Sequence, residues 1–286
     1  MRLLKRCALA AALLYATLLA FAFFAQRSLL YSPSHDDQLG RGNALFQPWH
    51  SLQGEFLGYL HGEQSHPRRV VVFFHGIGGE ALNWSWYARL VPADELLVLA
   101  EYPGYGARAG SPAQRTIFAS AVRLVDDVKA HWRAPITIVG ESLGSSVACY
   151  VASRRGIDRM ALVSPFSSVL DVAVGLLPFL PVRLLLTDRF PSAHYVTSVE
   201  VPLFMIHGSK DRIVPTRLAR KLYSIYAGKQ KTYVELPGVD HVTINHALLY
   251  AAAAQGYRDF LAGTDLETVA TGLNPSVLPV RAERQQ

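Results

Sequence analysis

Three side chains with the chemistry of a nucleophile, an acid and a base occur along the chain in the order serine, aspartate, histidine. Ser142 lies in a Gly-x-Ser-x-Gly motif, Asp211 in "HGSKDRIVP" and His241 in "PGVDH". Serine is a poor nucleophile at neutral pH, so it needs a base to take its proton, and the base needs an acid to orient it. The motif alone is weak evidence because glycine and serine are common residues. The three side chains together predict nucleophilic acyl transfer, provided that the fold brings them into contact.

Short apolar runs alternate along the chain with longer helical patterns. The runs are "VVVFF" (70–74), "LLVLA" (96–100), "ITIV" (136–139), "MALV" (160–163), "LFMIH" (203–207) and "TYVEL" (232–236). Each run is bounded by Gly, Pro or charged residues, and each interval is long enough for a crossover helix. This pattern predicts an α/β fold with a mostly parallel central sheet and helices on both faces. The alternating segment "EFLGYL" (55–60) is predicted to add an antiparallel edge strand.

The candidate residues all follow predicted strands, which places them at one edge of the sheet. Ligands of such sheets bind beyond the carboxyl ends of the strands. A sharp strand-to-helix turn would raise Ser142 above the sheet and leave little room for side chains at Gly140 and Gly144. A helix beginning at Leu143 would point its backbone N–H groups and its positive dipole end at the same place.

Four motifs give the chain a resemblance to a known family. They are the segments 140–144 ("GESLG"), 75–79 ("HGIGG"), 101–106 ("EYPGYG") and 207–215 ("HGSKDRIVP"). Over roughly residues 29–262 the chain resembles the α/β-hydrolase superfamily, and it is most similar to the membrane-anchored branch of ABHD-type serine hydrolases and protein depalmitoylases. The resemblance implies the α/β-hydrolase fold with a small cap, and it implies no metal and no organic cofactor.

The same resemblance implies a role for each candidate residue. Ser142 corresponds to the nucleophile, Asp211 to the acid that follows the next-to-last core strand, and His241 to the base that follows the last strand. The backbone N–H groups of Ile77 and Leu143 correspond to the donors of the oxyanion hole. These five positions form the predicted catalytic site.

Two positions depart from the family's pattern. Asp240 stands before His241 where glycine is often found, and Arg108 follows the YPGYG segment where a small serine is usual. Arg108 is therefore expected to alter the rim of the pocket. A separate reading takes His207 and Asp211 as two metal ligands, but a structural histidine beside the active-site loop is the favoured interpretation of His207.

The residue types leave several alternatives open. Ser142 could be an ordinary helix N-cap between two turn glycines. His246 could act as the base in place of His241, although it is expected to lie inside the following helix. Asp171 and Asp188 compete with the favoured aspartate for the role of the acid.

The N-terminal segment carries a membrane signal. From Cys7 to Ala25 there are 19 residues without a charge, which as a helix would reach about 28 Å, close to the thickness of a hydrocarbon core. Residues 1–27 are therefore predicted to be a single-pass anchor, with a cleaved signal peptide and secretion as the alternative. Positive residues precede the run, so the catalytic domain is predicted to lie on the non-cytoplasmic side.

The charge of the chain does not indicate nucleic-acid binding. The formal net charge is +6, and four of the positive charges lie at Arg2, Lys5, Arg6 and Arg27, with no acidic residue among them. The rest of the chain has a small basic excess and no stripe of Lys and Arg interleaved with aromatic residues. Nucleic acid is therefore not expected as a partner.

The sequence predicts one hydrolase domain over residues 28–263, with a short cap at about 165–198 and a mobile C-terminal extension over 264–286. Three prolines break the cap into short pieces. Its apolar residues are expected to line an acyl-chain site: Val169, Val172, Leu176, Leu177, Phe179, Leu180, Leu184, Leu185 and Leu186. The predicted function is a serine hydrolase of esters or thioesters with lipid or other acyl substrates. A noncatalytic binding or scaffold protein on the same fold, and a serine peptidase, are the alternatives.

Overall fold

A computed structural model of the protein describes residues 1–35, 45–51 and 53–272, and an eight-stranded sheet lies at its centre. The strands are β1 (Ser32–Pro33), β2 (Gln47–His50), β3 (Phe56–Gly62), β4 (Val70–Phe74), β5 (Gly78–Gly79), β6 (Leu96–Ala100), β7 (Ile136–Glu141), β8 (Arg159–Val163), β9 (Leu203–Gly208) and β10 (Lys231–Leu236). The order in the large sheet is β10-β9-β8-β7-β4-β6-β3-β2, while β1 and β5 form a separate pair.

The predicted sheet architecture is confirmed. Strands β10, β9, β8, β7, β4 and β6 pair in parallel with their neighbours, and β3 is antiparallel to β6 as expected. The prediction that residues 55–60 form the edge strand is wrong, because β2 pairs antiparallel with the outer side of β3. Pro48 weakens the strand signal of β2, yet an edge strand tolerates a proline because no outer neighbour needs its missing N–H.

Helices cover both faces of the sheet. The α-helices are α1 (Arg2–Leu30), α2 (Gln114–His131), α3 (Leu143–Ala152), α4 (Val169–Leu176), α5 (Val182–Leu185), α6 (Ser192–Tyr195), α7 (Thr216–Ile225), α8 (Ile244–Tyr250), α9 (Gln255–Leu261) and α10 (Leu266–Gly272). Shorter 3-10 segments span Ala81–Leu90, Val196–Ser198 and Ala252–Ala254. Alternate residues of β4 point to opposite faces: Val70 and Val72 pack with α2 and α3, whereas Val71 and Phe73 pack with Ala81–Leu90 and α9.

The segment between β8 and β9 contains the short helices α4, α5 and α6 and corresponds to the predicted cap at about 165–198. Within α4 and α5, only Val169 and Val182 are buried. The helices are short because Pro178, Pro181 and Pro191 interrupt the chain. Helices α4 and α5 therefore contribute little to the core, whereas Phe166, Phe190 and Val196 of the same segment are buried in it.

The two ends of the described chain differ in their packing. Helix α1 is long and apolar enough to cross a membrane, as an anchor or an N-terminal signal sequence would be, and none of its residues is buried. At the other end, α10 packs Leu266 and Val269 into the core, so ordered structure continues past the predicted boundary at residue 263. The expectation of a mobile extension over residues 264–286 stays a prediction, and residues 273–286 lie outside the described residues. The other predicted boundaries stay predictions.

Candidate active site

Ser142 lies on a sharp turn between the end of β7 and the start of α3. Its backbone has φ 50° and ψ −115°, a conformation that costs a non-glycine residue of order 1–3 kcal/mol and persists only where the surroundings impose it. A Cβ atom on Gly144 would lie 1.9 Å from the carbonyl oxygen of Phe74, and one on Gly140 would lie 2.3 Å from the oxygen of Gly144. The turn therefore requires glycine on both sides of the serine.

A chain of two hydrogen bonds joins the three predicted catalytic side chains. Ser142 Oγ lies 3.2 Å from His241 Nε2, and His241 Nδ1 lies 2.6 Å from Asp211 Oδ2. A carboxylate accepts only, so Nδ1 donates to Asp211 and Nε2 is left to accept the proton of Ser142. Ser142 occupies the N-cap position of α3, but its side chain makes no capping hydrogen bond. The structure thus brings the three side chains together in the order that proton transfer needs.

Both carboxylate oxygens of Asp211 contact hydrogen-bond donors. Its Oδ1 accepts hydrogen bonds from the backbone N–H groups of Ile213 (3.0 Å) and Val214 (2.8 Å). His207 Nε2 lies 3.2 Å from Oδ2 and donates to the carbonyl of Val214 at 2.9 Å. Burial by itself raises the pKa of Asp211, but the hydrogen bonds from His207 and His241 outweigh it, so the pKa of this carboxyl lies well below its usual range. The group is therefore ionised at any pH at which a histidine could act as a base.

The turn that carries His241 is shaped by Asp240. Its Oδ1 accepts from the backbone N–H of Val242 (3.0 Å) and from the N–H and hydroxyl of Thr243 (both 2.8 Å). Sequence reasoning treated Asp240 only as a departure from the family's pattern and missed this role. The Asp-x-x-Thr spacing is a signal for a side-chain-to-backbone turn, and it could have revealed the contact.

The two predicted oxyanion donors lie next to Ser142. The N–H of Leu143 is the first of α3 and has no acceptor within the helix. A Cβ atom on Gly76 would lie 3.6 Å from the Cβ of Ser142, so the loop that contains Ile77 adjoins the serine. The carbonyl of Ile77 accepts the hydroxyl of Tyr105 at 2.7 Å, which fixes the orientation of that loop. The role of both N–H groups as oxyanion donors stays a prediction.

Two buried carboxylates support the floor of the site, and neither was predicted. Glu141 Oε2 accepts the indole N–H of Trp84 at 2.6 Å, and burial raises the pKa of Glu141. Glu101 lies 3.2 Å from His75 Nε2, and it also accepts the backbone N–H of Ala81 at 3.0 Å. Glu141 thus connects the turn at Ser142 to the segment Ala81–Leu90, and Glu101 connects the start of that segment to His75. Neither pairing has a signature in the sequence, because the partners are far apart along the chain.

The alternative acid and base residues are bonded elsewhere. His246 lies in α8, with its ring 4.7 Å from the ring of Tyr250. Asp171 Oδ2 accepts hydrogen bonds from the hydroxyl of Ser167 at 2.5 Å and from Lys221 Nζ at 3.2 Å. Asp188 accepts the hydroxyl of Tyr31 at 2.9 Å. Among the candidates, His241 and Asp211 are the pair that the structure connects to Ser142.

Residues 71–197 match the sequence profile of the alpha/beta hydrolase family. The structure resembles that of MGS-M2, an α/β-hydrolase enzyme from a deep-sea metagenome library, with a TM-score of 0.58 at 15% identity over 76% of this chain and 96% of that one. The protein has the α/β-hydrolase fold. The matched region covers less than half of the chain and contains the turn at Ser142, whereas Asp211 and His241 follow it.

The chain is also similar to curated proteins at moderate identity. It is 33% identical over 183 residues to an uncharacterized protein of Mycobacterium tuberculosis, an alignment that covers 63% of this chain and 59% of that one. It is 29% identical over 188 residues to the lysophosphatidylserine lipase ABHD12 of Danio rerio, over 58% of this chain and 48% of the lipase. The chain thus spans about half to three-fifths of these relatives. The predicted likeness to the depalmitoylase-type branch stays a prediction.

An open cavity of about 400 Å³ adjoins His241. Its lining consists of Lys210, Arg212, Ile213, Asp240, His241 and Val242. None of the apolar cap residues lines this cavity, so an acyl-chain site under the cap stays a prediction. Arg108 does not lie at its rim, contrary to expectation, because its guanidinium is buried against Glu55 and the carbonyl of Glu101. Within the described ranges, no three His, Cys, Asp or Glu side chains are grouped to hold a metal ion.

Proposed function

We propose that the protein is a serine hydrolase that cleaves carboxylic esters or thioesters of lipid or other acyl groups. The observation that carries the proposal is the hydrogen-bonded chain from Asp211 through His241 to Ser142, at a strand-to-helix turn of an α/β-hydrolase fold. The family match and the fold support hydrolase activity.

The geometry accounts for each step of an acyl-enzyme mechanism. His241 Nε2 takes the proton of Ser142 as Oγ attacks the acyl carbonyl, and the ionised Asp211 stabilises the imidazolium that forms. The N–H groups of Ile77 and Leu143 donate hydrogen bonds to the carbonyl oxygen and stabilise the negative charge that develops on it. His241 then protonates the departing alcohol or thiol, which leaves the acyl group on Ser142. Water attacks this ester with His241 again as the base, and the free acid departs.

Two features support a lipid-like substrate beside a membrane. The similar protein from Danio rerio is named as a lipase of a lysophospholipid. Helix α1 is apolar enough to anchor the chain, with the catalytic domain on the non-cytoplasmic side as the positive residues before the run predict. A hydrolase held at a bilayer meets lipids at high local concentration.

The substrate class is tested with purified protein on p-nitrophenyl esters from acetyl to palmitoyl, an acyl thioester and a p-nitroanilide of the same acyl group. Ser142→Ala serves as the control for every substrate. We expect turnover of esters and thioesters that depends on Ser142 and little cleavage of the anilide. Cleavage of the anilide alone would favour a peptidase, and no turnover of any substrate would favour a binding protein on this fold.

The proposed anchor is tested by N-terminal sequencing and by alkaline carbonate washing of membranes. We expect the mature protein to keep residues 1–25 and to stay in the membrane pellet, because the uncharged run from Cys7 to Ala25 is long enough to span. A mature N-terminus near Phe23 or Gln26, together with release by carbonate, would identify the run as a cleaved signal peptide.

A further inference from the structure

Helix α1 is hydrogen-bonded through Tyr15 and Gln26 to the loop that joins α4 and α5, to the last residue of α5 and to the segment that follows it. The hydroxyl of Tyr15 donates to the carbonyl of Phe179 at 3.1 Å. Nearer the end of the helix, Gln26 Nε2 donates to the carbonyl of Leu185 at 3.2 Å, and Gln26 Oε1 accepts the N–H and the hydroxyl of Thr187 at 2.8 and 2.9 Å. The cap therefore lies beside the C-terminal half of α1.

The last turn of α1 is fixed to the domain by a buried aspartate. Asp188 is 5% exposed, and its Oδ2 accepts from Tyr31 Oη at 2.9 Å and from Arg27 Nε at 3.2 Å. The half-buried residues of α1 form one stripe at spacings of three to four, as a helix that packs along one side should show. They are Leu19, Ala22, Ala25, Gln26 and Leu30. Helix and cap are thus one packed unit.

The position of Tyr15 in the helix gives the depth of Phe179. The uncharged run extends from Cys7 to Ala25, so Tyr15 lies beside its centre. At 1.5 Å per residue, Tyr15 is about 15 Å from Ala25 along the axis, which equals half of a hydrocarbon core of about 30 Å. If the run spans the bilayer, the carbonyl that Tyr15 contacts lies near the bilayer midplane. The contact also gives the hydroxyl of Tyr15 the acceptor that a polar group in hydrocarbon requires.

We propose that the cap segment 176–184 is inserted in the bilayer leaflet next to the catalytic domain, with its apolar side chains in contact with lipid chains. Four large apolar side chains of this segment point away from the domain's core: Leu176 (54% exposed), Leu177 (40%), Phe179 (69%) and Leu184 (84%). This inference rests on the proposed anchor and extends it, because it assigns the membrane a second contact outside α1.

The arginine residues of the cap lie where the cap approaches the end of the apolar run of α1. Arg183 and Arg189 are exposed and lie close in sequence to Leu185 and Thr187, which bond to Gln26 at the end of the apolar run. Arginine at this level meets the phosphates of lipid headgroups, where its charge is favoured. No charged residue occurs between Val172 and Val182, the stretch that contains the proposed deep residues. Lipid hydrocarbon is therefore the occupant that fits this surface.

The insertion is tested by the fluorescence of an NBD probe on single cysteines of the full chain in vesicles of phosphatidylcholine and phosphatidylglycerol. The variants are Phe179→Cys, Leu184→Cys and the control Ser224→Cys, each with Cys7→Ser. Cys149 is buried and stays unlabelled, while Ser224 is exposed on α7, away from the cap. Lipids that carry a nitroxide near the end of the acyl chain or at the headgroup report the depth of each probe.

We expect the probe at residue 179 to lose more than about half of its emission to the deep nitroxide, as its depth near the midplane requires. The probe at residue 184 should respond more to the headgroup nitroxide, and the probe at residue 224 to neither. The inference would be overturned if the NBD group at residue 179 responded to the nitroxides as the one at residue 224 does. It would also be overturned if neither nitroxide nor aqueous iodide quenched the group at residue 179, because protein would then cover the segment. Fluorophosphonate labelling and N-terminal sequencing of the same sample test the proposed function and the proposed anchor separately. If the protein is labelled and keeps its N-terminus but the NBD group at residue 179 is not quenched, the insertion alone is refuted.

Discussion

The turn at Ser142 and the cap follow the carboxyl ends of the neighbouring parallel strands β7 and β8, but they are built in opposite ways. Strands β4 and β7, which flank the turn, are buried at every residue, and the glycines of the turn contact backbone atoms at distances that admit no side chain. In the cap, α4 and α5 each bury a single valine, and several large apolar side chains face outward. The difference indicates that the fold fixes the backbone around Ser142 and leaves the cap free to contact other molecules.

The contrast predicts that substitutions at the turn act on the chemical step, whereas those in the cap act on substrate access. The largest effect is expected for Ser142→Ala, which removes the nucleophile. Turnover of a p-nitrophenyl ester should fall by about 10⁴-fold or more, and labelling by a fluorophosphonate should disappear. An unchanged melting temperature is the control that shows an intact fold. Turnover that persists in this variant would contradict the proposed mechanism.

The role of Asp211 as the acid can be tested against two aspartates of the cap as matched controls. Asp211→Asn should lower kcat by about 10⁴-fold, because the amide would stabilise the wrong tautomer of His241. Asp171→Asn at the start of α4 and Asp188→Asn beneath α1 should cost far less, since neither side chain is bonded to His241. Steady-state kinetics on one ester compare the three variants. A larger loss for either cap variant would show that the acid is misplaced.

The sequence predicted the elements around the turn because their signals are local. Buried β-branched runs gave the positions of β4 and β6, and the glycines at 140 and 144 indicated the turn. The bond between Glu141 and Trp84 was missed because it depends on tertiary packing. The course of the cap was missed for the same reason, since its contacts with α1 join residues that are far apart in sequence.

The cap is the region where substrate length should matter. If its apolar residues bind the acyl chain, each methylene removed from water contributes up to about 0.8 kcal/mol, so kcat/KM should rise about three- to fourfold per carbon until the site is full. The measurement is kcat/KM for p-nitrophenyl esters from C2 to C12. A maximum at acetyl followed by a steady decline would rule out an acyl-chain site.

Asp240 offers a test of how tightly the base is positioned. Asp240→Ala removes the acceptor of three hydrogen bonds in the turn that carries His241, so kcat/KM should fall by about 10-fold, which corresponds to about 1.4 kcal/mol. Asp240→Asn keeps an oxygen in that place and should restore most of the activity. Equal losses in the two variants would indicate that the charge of Asp240, which also lines the cavity, matters more than the turn.

The smallest expected effect is the contribution of ionised Asp211 to the stability of the fold at low pH. The pKa of Asp211 is lowered in the folded protein from an ordinary value of 3.8, since its hydrogen bonds with His207 and His241 outweigh the effect of burial. A carboxyl with a lowered pKa stabilises the fold above its unfolded pKa, and this stabilisation is lost as the pH falls below about 4. The melting temperature of the detergent-solubilised protein should therefore exceed that of Asp211→Asn at pH 6, and the gap should narrow towards pH 3, by about 2–4 °C for each kcal/mol lost. Ser142→Ala keeps the carboxylate, so its melting temperature should follow that of the wild type at each pH. A gap for Asp211→Asn that is constant between pH 6 and pH 3 would show that the ionised form of Asp211 does not stabilise the site.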